Sequence, residues 1–206
     1  MKKYDGFCLW FTGLPCCGKS TIADAVAEEL SQRGLNVERL DGDIVRQSLT
    51  KDLGFSKEDR DKNIERVTFV AKLLSRNNVA TLVSFVSPYI QKRQEAREQC
   101  HNFIETFVKC PVEVCEQRDV KGMYKKAKAG EIKDFTGVND PYEDPPNPEL
   151  VLETDTETVK ESAHKVLTYL EGRDLIPQKV EMSEDEVYTP EEEEIVKKRL
   201  ADLGYL

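Results

Sequence analysis

Short apolar runs alternate with amphipathic stretches through most of this chain. Phe7 to Phe11 is a five-residue apolar run of the kind that forms a buried strand. From Thr21 to Arg33 good helix formers place Ile22, Val26 and Leu30 at i, i+4 and i+8, and Gly34 closes the segment. Val37 to Leu40 predicts a second strand. Ser56 can cap a long helix, with Asp59 three residues on, whose stripe is Ile64, Val67, Ala71 and Leu74 and whose end is Asn77-Asn78. Val79 to Phe85 is a nearly continuous β-rich run, as an interior parallel strand should be. Ser87-Pro88 breaks it, and a helix follows from Tyr89 to Cys100. Phe103 to Val108 gives a fourth strand, Pro111 to Arg118 a short helix, Glu149 to Thr154 a fifth strand and Thr156 to Leu170 a closing helix. Strands alternating with helices predict a three-layer α/β/α fold, with a parallel sheet of about five strands covered on both faces.

Two stretches break the alternation. Arg118 to Lys133 holds six basic residues against two acidic ones, with Gly122 and Gly130 inside it. Its low apolar content predicts a mobile segment outside the core. Asp140 to Pro148 carries four prolines and predicts a rigid connector. The end of the chain differs from the rest. Residues 178–187 are acidic and predict an extended piece. Thr189, Pro190 and Glu192 mark a helix start, and Val196, Leu200 and Leu203 form its apolar stripe before Gly204. The expected organisation is therefore one domain over residues 1–177, followed by an acidic tail over residues 178–206.

Charge and composition narrow the partners. The 206 residues carry a formal net charge of −9. The tail contributes −5 of this, from nine acidic and four basic residues. This balance argues against a nucleic-acid surface. No segment reaches the length of a membrane-spanning helix, and Lys2-Lys3 precedes too few apolar residues for a secretory signal. A cytoplasmic location is expected. The six cysteines contain no C-x-x-C pair, so neither a zinc site nor a redox dithiol is indicated.

The chemistry begins at Gly13-Leu14-Pro15-Cys16-Cys17-Gly18-Lys19-Ser20-Thr21, which fits G-x-x-x-x-G-K-[ST]. Between a strand and a helix, this spacing makes a loop of backbone N–H donors around a triphosphate. Lys19 would reach the β- and γ-phosphates of ATP, and the Ser20 hydroxyl would ligate Mg²⁺. Cys16 and Cys17 lie where a helix N-terminus lowers a thiol pKa. The plainer reading, small residues fitting the loop, is preferred for both. Asp41-Gly42-Asp43 follows the second strand, at the sheet edge where ligands of open α/β folds collect. One carboxylate could hold Mg²⁺ waters and the other could orient an attacking hydroxyl; an ordinary capping turn is the competing reading. Arg46 and Arg60 point to a second anion, because the guanidinium fork matches phosphate or sulfate oxygens. Asn63 shares a helix face with Arg60.

Several runs together resemble the adenylylsulfate (APS) kinase family: Asp41-Gly42-Asp43-x-x-Arg46, Lys51 to Ser56, Arg60-x-x-Asn63, Ser84 to Tyr89, Val114 to Lys126, Phe135-Thr136-Gly137 and Asp140-Pro141-Tyr142-Glu143. The resemblance covers Gly6 to Glu171. It implies transfer of the ATP γ-phosphoryl to the 3′-hydroxyl of adenosine 5′-phosphosulfate. It implies Phe55 and Phe135 around the acceptor adenine, with Arg46, Arg60 and Asn63 on its phosphosulfate and ribose, and Val86 and Lys121 in the same acceptor site. Asp43 would be the catalytic carboxylate, assisted by Lys19 and by Asp41 near the metal. Ser87 matches a serine sometimes described as a phosphoenzyme intermediate. Residues 118–135 would form a lid, with Arg118 against ATP. A homodimer and a functional link to ATP sulfurylase are implied as well. Two departures stand out: Pro15-Cys16-Cys17 replaces a usual Ser-Gly-Ala, and Ile44 a usual Asn. A related kinase of another anionic nucleotide, or a non-catalytic module binding the 3′-phosphorylated product, are the competing functions. An intact Lys19 and Ser20 argue against the second.

Overall fold

The computed structural model describes residues 4–179 and, in the tail, residues 194, 197–199 and 201. Five strands form one wholly parallel sheet: β1 (Phe7–Thr12), β2 (Val37–Asp41), β3 (Ala80–Ser84), β4 (Phe103–Lys109) and β5 (Leu150–Glu153), in the order β2-β3-β1-β4-β5. Helices α1 (Lys19–Gln32), α2 (Gly42–Val45), α3 (Lys57–Ser75), α4 (Ile90–Gln99), α5 (Val112–Gln117), α6 (Met123–Lys128) and α7 (Val159–Gly172) connect and cover it. The alternating pattern predicts this architecture, with element ends shifted by up to three residues. The alternation along β1 builds both faces. Phe7, Leu9 and Phe11 enter the core beneath α1 and α7, beside Ile22, Val26, Leu30, Val166 and Leu170. Cys8 and Trp10 enter the opposite core, beside Ile64, Val67, Ala71 and Ala96 from α3 and α4.

The helix starts follow local chemistry. The Ser56 hydroxyl accepts from the Asp59 N–H at 3.2 Å, as expected. Thr158 opens α7 with a reciprocal capping box to Glu161, three residues later than the sequence pattern placed the start. Such boxes are worth about 0.5–2 kcal/mol. The register of β2 on β3 pairs Asp41 with Ser84. Both therefore sit at the carboxyl edge of the sheet, beside the loop that leaves β1.

The basic segment corrects one expectation. Tyr124 and Ala127 are buried in the main core, together with Phe135. Asp119 makes this fold possible, since its carboxylate accepts from the N–H groups of Met123 at 2.9 Å and Tyr124 at 2.7 Å. The α6 face turned inward is short but fully apolar apart from the Tyr124 hydroxyl, which donates to Pro15 O at 3.1 Å. A low average hydropathy hid a few well-placed side chains. The expected tail helix falls mostly outside the described residues; residues 194, 197–199 and 201 are helical and exposed.

Candidate active site

The loop after β1 owes its shape to close packing. A Cβ at Gly13 would lie 2.4 Å from Val108 O and 2.9 Å from Cys17 Sγ. Only glycine fits there. Gly18 has φ 103° as it leads into α1. Cys16 also adopts a left-handed conformation, φ 62°, which costs an L-residue about 1 kcal/mol or more. Its position is the one the resemblance gives to glycine. Lys19 bends back over the loop, donating to Gly13 O at 3.1 Å and Leu14 O at 2.7 Å. The ammonium is thereby held beside the first turn of α1.

A cleft of about 790 Å³ opens over this loop. It gathers most of the predicted residues: Pro15, Cys16, Gly18, Lys19, Ser20 and Thr21 on one side, Asp41 and Asp43 at the edge of β2, Arg46, Phe55, Arg60, Asn63, Val86 and Ser87 on the other side, and Arg118, Lys121 and Phe135 from the basic segment. Gly13, Leu14 and Cys17 lie behind this wall. The start of α7 joins the lining through Glu157, Thr158 and Val159, which no sequence signal had marked. The structure brings it there because Thr154 donates to Cys17 O at 2.8 Å, tying the end of β5 to the loop.

The Ser20 hydroxyl donates to Asp41 Oδ2 at 2.6 Å, and Asp41 Oδ1 accepts from the Asp43 N–H at 3.0 Å. Asp41 is thus both the capping residue of α2 and the partner of Ser20. The competing reading of a plain capping turn is half of the answer. The paired hydroxyl and carboxylate are hard oxygen donors, the chemistry that Mg²⁺ takes. Arg39 on β2 adds a contact the sequence did not flag, 3.6 Å from Asp41 Oδ2 and paired with Asp24. Asp43 is exposed, and its carboxylate meets the Lys121 ammonium across the cleft. That contact holds the Lys121 pKa above its ordinary value.

On the far side, Arg46 stacks its guanidinium 4.4 Å from the centre of the Phe55 ring, and Phe55 is 55% exposed. Burial and the neighbouring Arg60 charge push the Arg46 pKa down. Two cations so placed favour an anion between them. Arg60 donates to Phe55 O at 2.8 Å and to Thr136 Oγ1 at 2.6 Å, and it also reaches Asp134 O. Asn63 is buried, and its Oδ1 has no hydrogen-bond partner among the described residues. Phe135 is only 9% exposed and packs edge-on to Tyr124 at 4.9 Å. One of its faces lines the cleft while the rest belongs to the core.

Ser87 sits in a strained turn, φ 40°. Its hydroxyl accepts from Trp10 Nε1 at 3.0 Å and donates to Phe85 O at 3.3 Å. Among the described residues neither a carboxylate nor a histidine hydrogen-bonds it. Arg118 is pinned at the end of β5 by Thr154 O at 2.7 Å.

The family model described as adenylylsulphate kinase matches residues 5–153. The chain belongs to the adenylylsulphate kinase family. It is 59% identical over 176 residues to the adenylyl-sulfate kinase of Halothermothrix orenii, covering 85% of this chain and 95% of that one. It is 63% identical over 167 residues to a probable adenylyl-sulfate kinase of Pseudomonas aeruginosa, covering 81% of this chain and 78% of the relative. Among solved structures it resembles the Mycobacterium tuberculosis APS kinase in complex with AMPPNP and APS. There the TM-score is 0.78 and the identity 41%, over 82% of this chain and 99% of the other. In this adenylylsulphate kinase one cleft carries the glycine loop with Lys19 and Ser20 on one side and Arg46, Phe55 and Arg60 on the other.

The loop cysteines depart from what their place at a helix start implied. Burial, with Asp119 next in effect, raises the Cys16 pKa, and burial raises that of Cys17 despite the nearby Lys19 ammonium. Cys17 belongs to the core and Cys16 packs against it, which favours the reading of both as small packing residues. A raised pKa means less thiolate at pH 7.5. Cys16 is therefore expected to alkylate with iodoacetamide more slowly than a free thiol, and Cys17 more slowly still, with rates still climbing above pH 9. Brief labelling followed by mass spectrometry checks this; labelling as fast as that of a small free thiol would contradict it.

Proposed function

We propose that this chain transfers the γ-phosphoryl of ATP directly to the 3′-hydroxyl of adenosine 5′-phosphosulfate, with Asp43 orienting that hydroxyl. The observation that carries the acceptor is the far wall of the cleft. Arg46 and Arg60 converge beside an exposed aromatic face, Phe55, opposite the triphosphate loop. An adenine nucleotide with an anionic tail supplies both partners, a base to stack and oxygens to receive guanidinium N–H groups. The unpartnered Asn63 Oδ1 is an acceptor available to a ribose hydroxyl.

The geometry supports a role for each residue. Backbone N–H groups at the start of α1, from Gly18 to Thr21, and the Lys19 ammonium hold the phosphates. Phosphoryl transfer has a loose transition state in most analyses, so positioning and charge stabilisation dominate. Ser20 and Asp41 would hold Mg²⁺, which when bound offsets charge on the phosphate oxygens. Lys121 accompanies Asp43 and brings positive charge from the lid, residues 118–135. Packed on the core through Tyr124 and Phe135, that segment would cover both nucleotides and exclude water, which otherwise competes for the phosphoryl group. Arg118 flanks the ATP side. Ser87 serves as a contact and turn residue, because it has no base to activate it.

The same reading places the reaction in the cytoplasm, where six free thiols persist, downstream of an ATP sulfurylase activity that makes adenosine 5′-phosphosulfate. No helix among the described residues is long and apolar enough to cross a membrane. We take the working assembly as a homodimer; the exposed Ile44, Leu49 and Phe69 offer apolar surface for it. Residues 1–177 make the kinase unit and 178–206 an appended tail.

The test is ADP release with and without adenosine 5′-phosphosulfate. Strict dependence on it is expected. Equal turnover with AMP would move the chain to a related kinase, and binding of the 3′-phosphorylated product without turnover would make it a non-catalytic module. Phe55→Ala separates the two nucleotide sites. Base stacking is worth roughly 1–3 kcal/mol, so the KM for the acceptor should rise about tenfold while that for ATP stays within twofold. An equal rise for both would remove Phe55 from the acceptor site. Phe135→Ala is a poorer probe, since removing a buried phenylalanine costs roughly 3–5 kcal/mol of stability.

A further inference from the structure

Arg93 stands out as a charged side chain that is only 2% exposed. It lies on the inner face of α4, outside every motif that the sequence marked. All three of its nitrogens are used. Nε donates to Glu105 Oε1 at 2.7 Å, Nη1 to Ser87 O at 2.6 Å and Nη2 to Glu143 O at 2.6 Å. Its guanidinium also lies 5.6 Å from the centre of the Tyr142 ring. The two carbonyls belong to segments 50 or more residues apart. One is the strained turn after β3, which carries Val86 and Ser87 on the cleft wall. The other is the connector that follows Phe135 and Thr136.

Further contacts join the same two segments. Glu143 N donates to Pro88 O at 2.9 Å, and Tyr89 donates to Asp140 at 3.3 Å. Asp140 in turn lies 3.9 Å from the Arg60 guanidinium, and Thr136 accepts from it at 2.6 Å. The connector therefore links the turn to Arg60 and Phe135. These contacts lie on the acceptor side. The turn and the connector also meet the end of β1, where the Thr12 hydroxyl donates to Val86 O at 2.8 Å and lies 2.9 Å from the Tyr142 hydroxyl, while the triphosphate loop that follows is tied through Thr154 and Tyr124.

From this we infer that Arg93 is a positioning residue for the acceptor nucleotide: it fixes the Ser87 turn to the connector over residues 140–143, and through them the placement of Arg60 and Phe135. The inference rests on the acceptor reading above. A buried ion pair is weak evidence for stability, since desolvation offsets much of its attraction. A fork that must meet two carbonyls and one carboxylate at once is strong evidence for geometry. Lysine keeps the charge beside Glu105 but cannot span both carbonyls. A misplacement of about 1 Å can cost roughly 10²-fold in rate.

The experiment is steady-state kinetics on the full chain with Arg93→Lys, varying each nucleotide in turn and recording the melting midpoint. Wild-type turnover with adenosine 5′-phosphosulfate is measured first. Its absence would sink the acceptor reading and this inference with it, whereas normal wild-type turnover isolates Arg93. The expected result is a KM for the acceptor raised about tenfold or more, with the KM for ATP within twofold. Equal changes for both nucleotides, or none, overturn the proposal. If Arg93→Lys does not fold, Tyr89→Phe decides. It removes one hydroxyl tie between turn and connector and keeps the packed ring. An acceptor KM raised about threefold with unchanged ATP kinetics supports the inference, and an unchanged acceptor KM ends it.

Discussion

Lys19→Ala is expected to lower turnover by about 10²–10³-fold, the usual cost of removing one charge-stabilising donor from a preorganised site. The lysine follows the Gly13–Gly18 loop, and its ammonium is buried against two loop carbonyls. When a triphosphate occupies the loop, the same ammonium can turn to the transferring group and offset charge there. Truncation leaves Gly13 O and Leu14 O without that donor. Such a loss costs about 1–3 kcal/mol, within the 5–15 kcal/mol of a typical domain. The variant should therefore fold, with a melting midpoint lowered by several degrees. Circular dichroism and coupled ADP release distinguish the two effects. Near-normal turnover in a folded Lys19→Ala chain would discard the assignment of this loop to the transferring phosphates.

Asp43→Ala should cost roughly 10²–10⁴ in turnover, as for loss of a positioned acid–base group. Asp43 sits on the first turn of α2, beside the Ser20–Asp41 pair and across from the acceptor wall, so its carboxylate can reach a hydroxyl aimed at the γ-phosphorus. Stability should barely change, because the ion pair Asp43 makes among the described residues, with Lys121, is exposed. Ser87→Ala should show the reverse pattern. Its hydroxyl is committed to Trp10 and Phe85, so losing it leaves the buried indole N–H unpaired and costs about 1–3 kcal/mol of stability, with little effect on chemistry. Stereochemistry gives an independent check. Direct transfer inverts configuration at phosphorus, and a phosphoserine route through two displacements retains it. Net retention, or phosphate trapped on Ser87 at a rate matching turnover, would overturn the mechanism.

The sequence alone carried the parts governed by local chemistry. A strand, a glycine loop and a helix in succession define a phosphate site, because backbone N–H groups and a helix N-terminus act within about ten residues of each other. Short apolar runs located the five strands and stripes of period 3.6 the major helices, since a strand buried on both faces is apolar throughout and a helix buries one face. On the second side of the cleft, Arg46 and Arg60 pointed to an anion through the chemistry of the guanidinium, whereas Phe55, Phe135, Val86, Ser87 and Lys121 were named only through the resemblance to the family, and Glu157, Thr158 and Val159 carried no signal because their place there depends on a distant tie. Tertiary structure alone decided what depends on distant partners. Tyr124 enters the core although its segment is basic, because Asp119 caps α6 and the Pro15 carbonyl receives its hydroxyl. Burial pushes the Cys16 and Cys17 thiols up, against what a helix start implies, because desolvation is set by packing around them and not by their place in the chain. Arg93 looked like any arginine on a solvated helix. Only the crossing of α4, the turn after β3 and the connector turns it inward, where two carbonyls and Glu105 replace water around its charge.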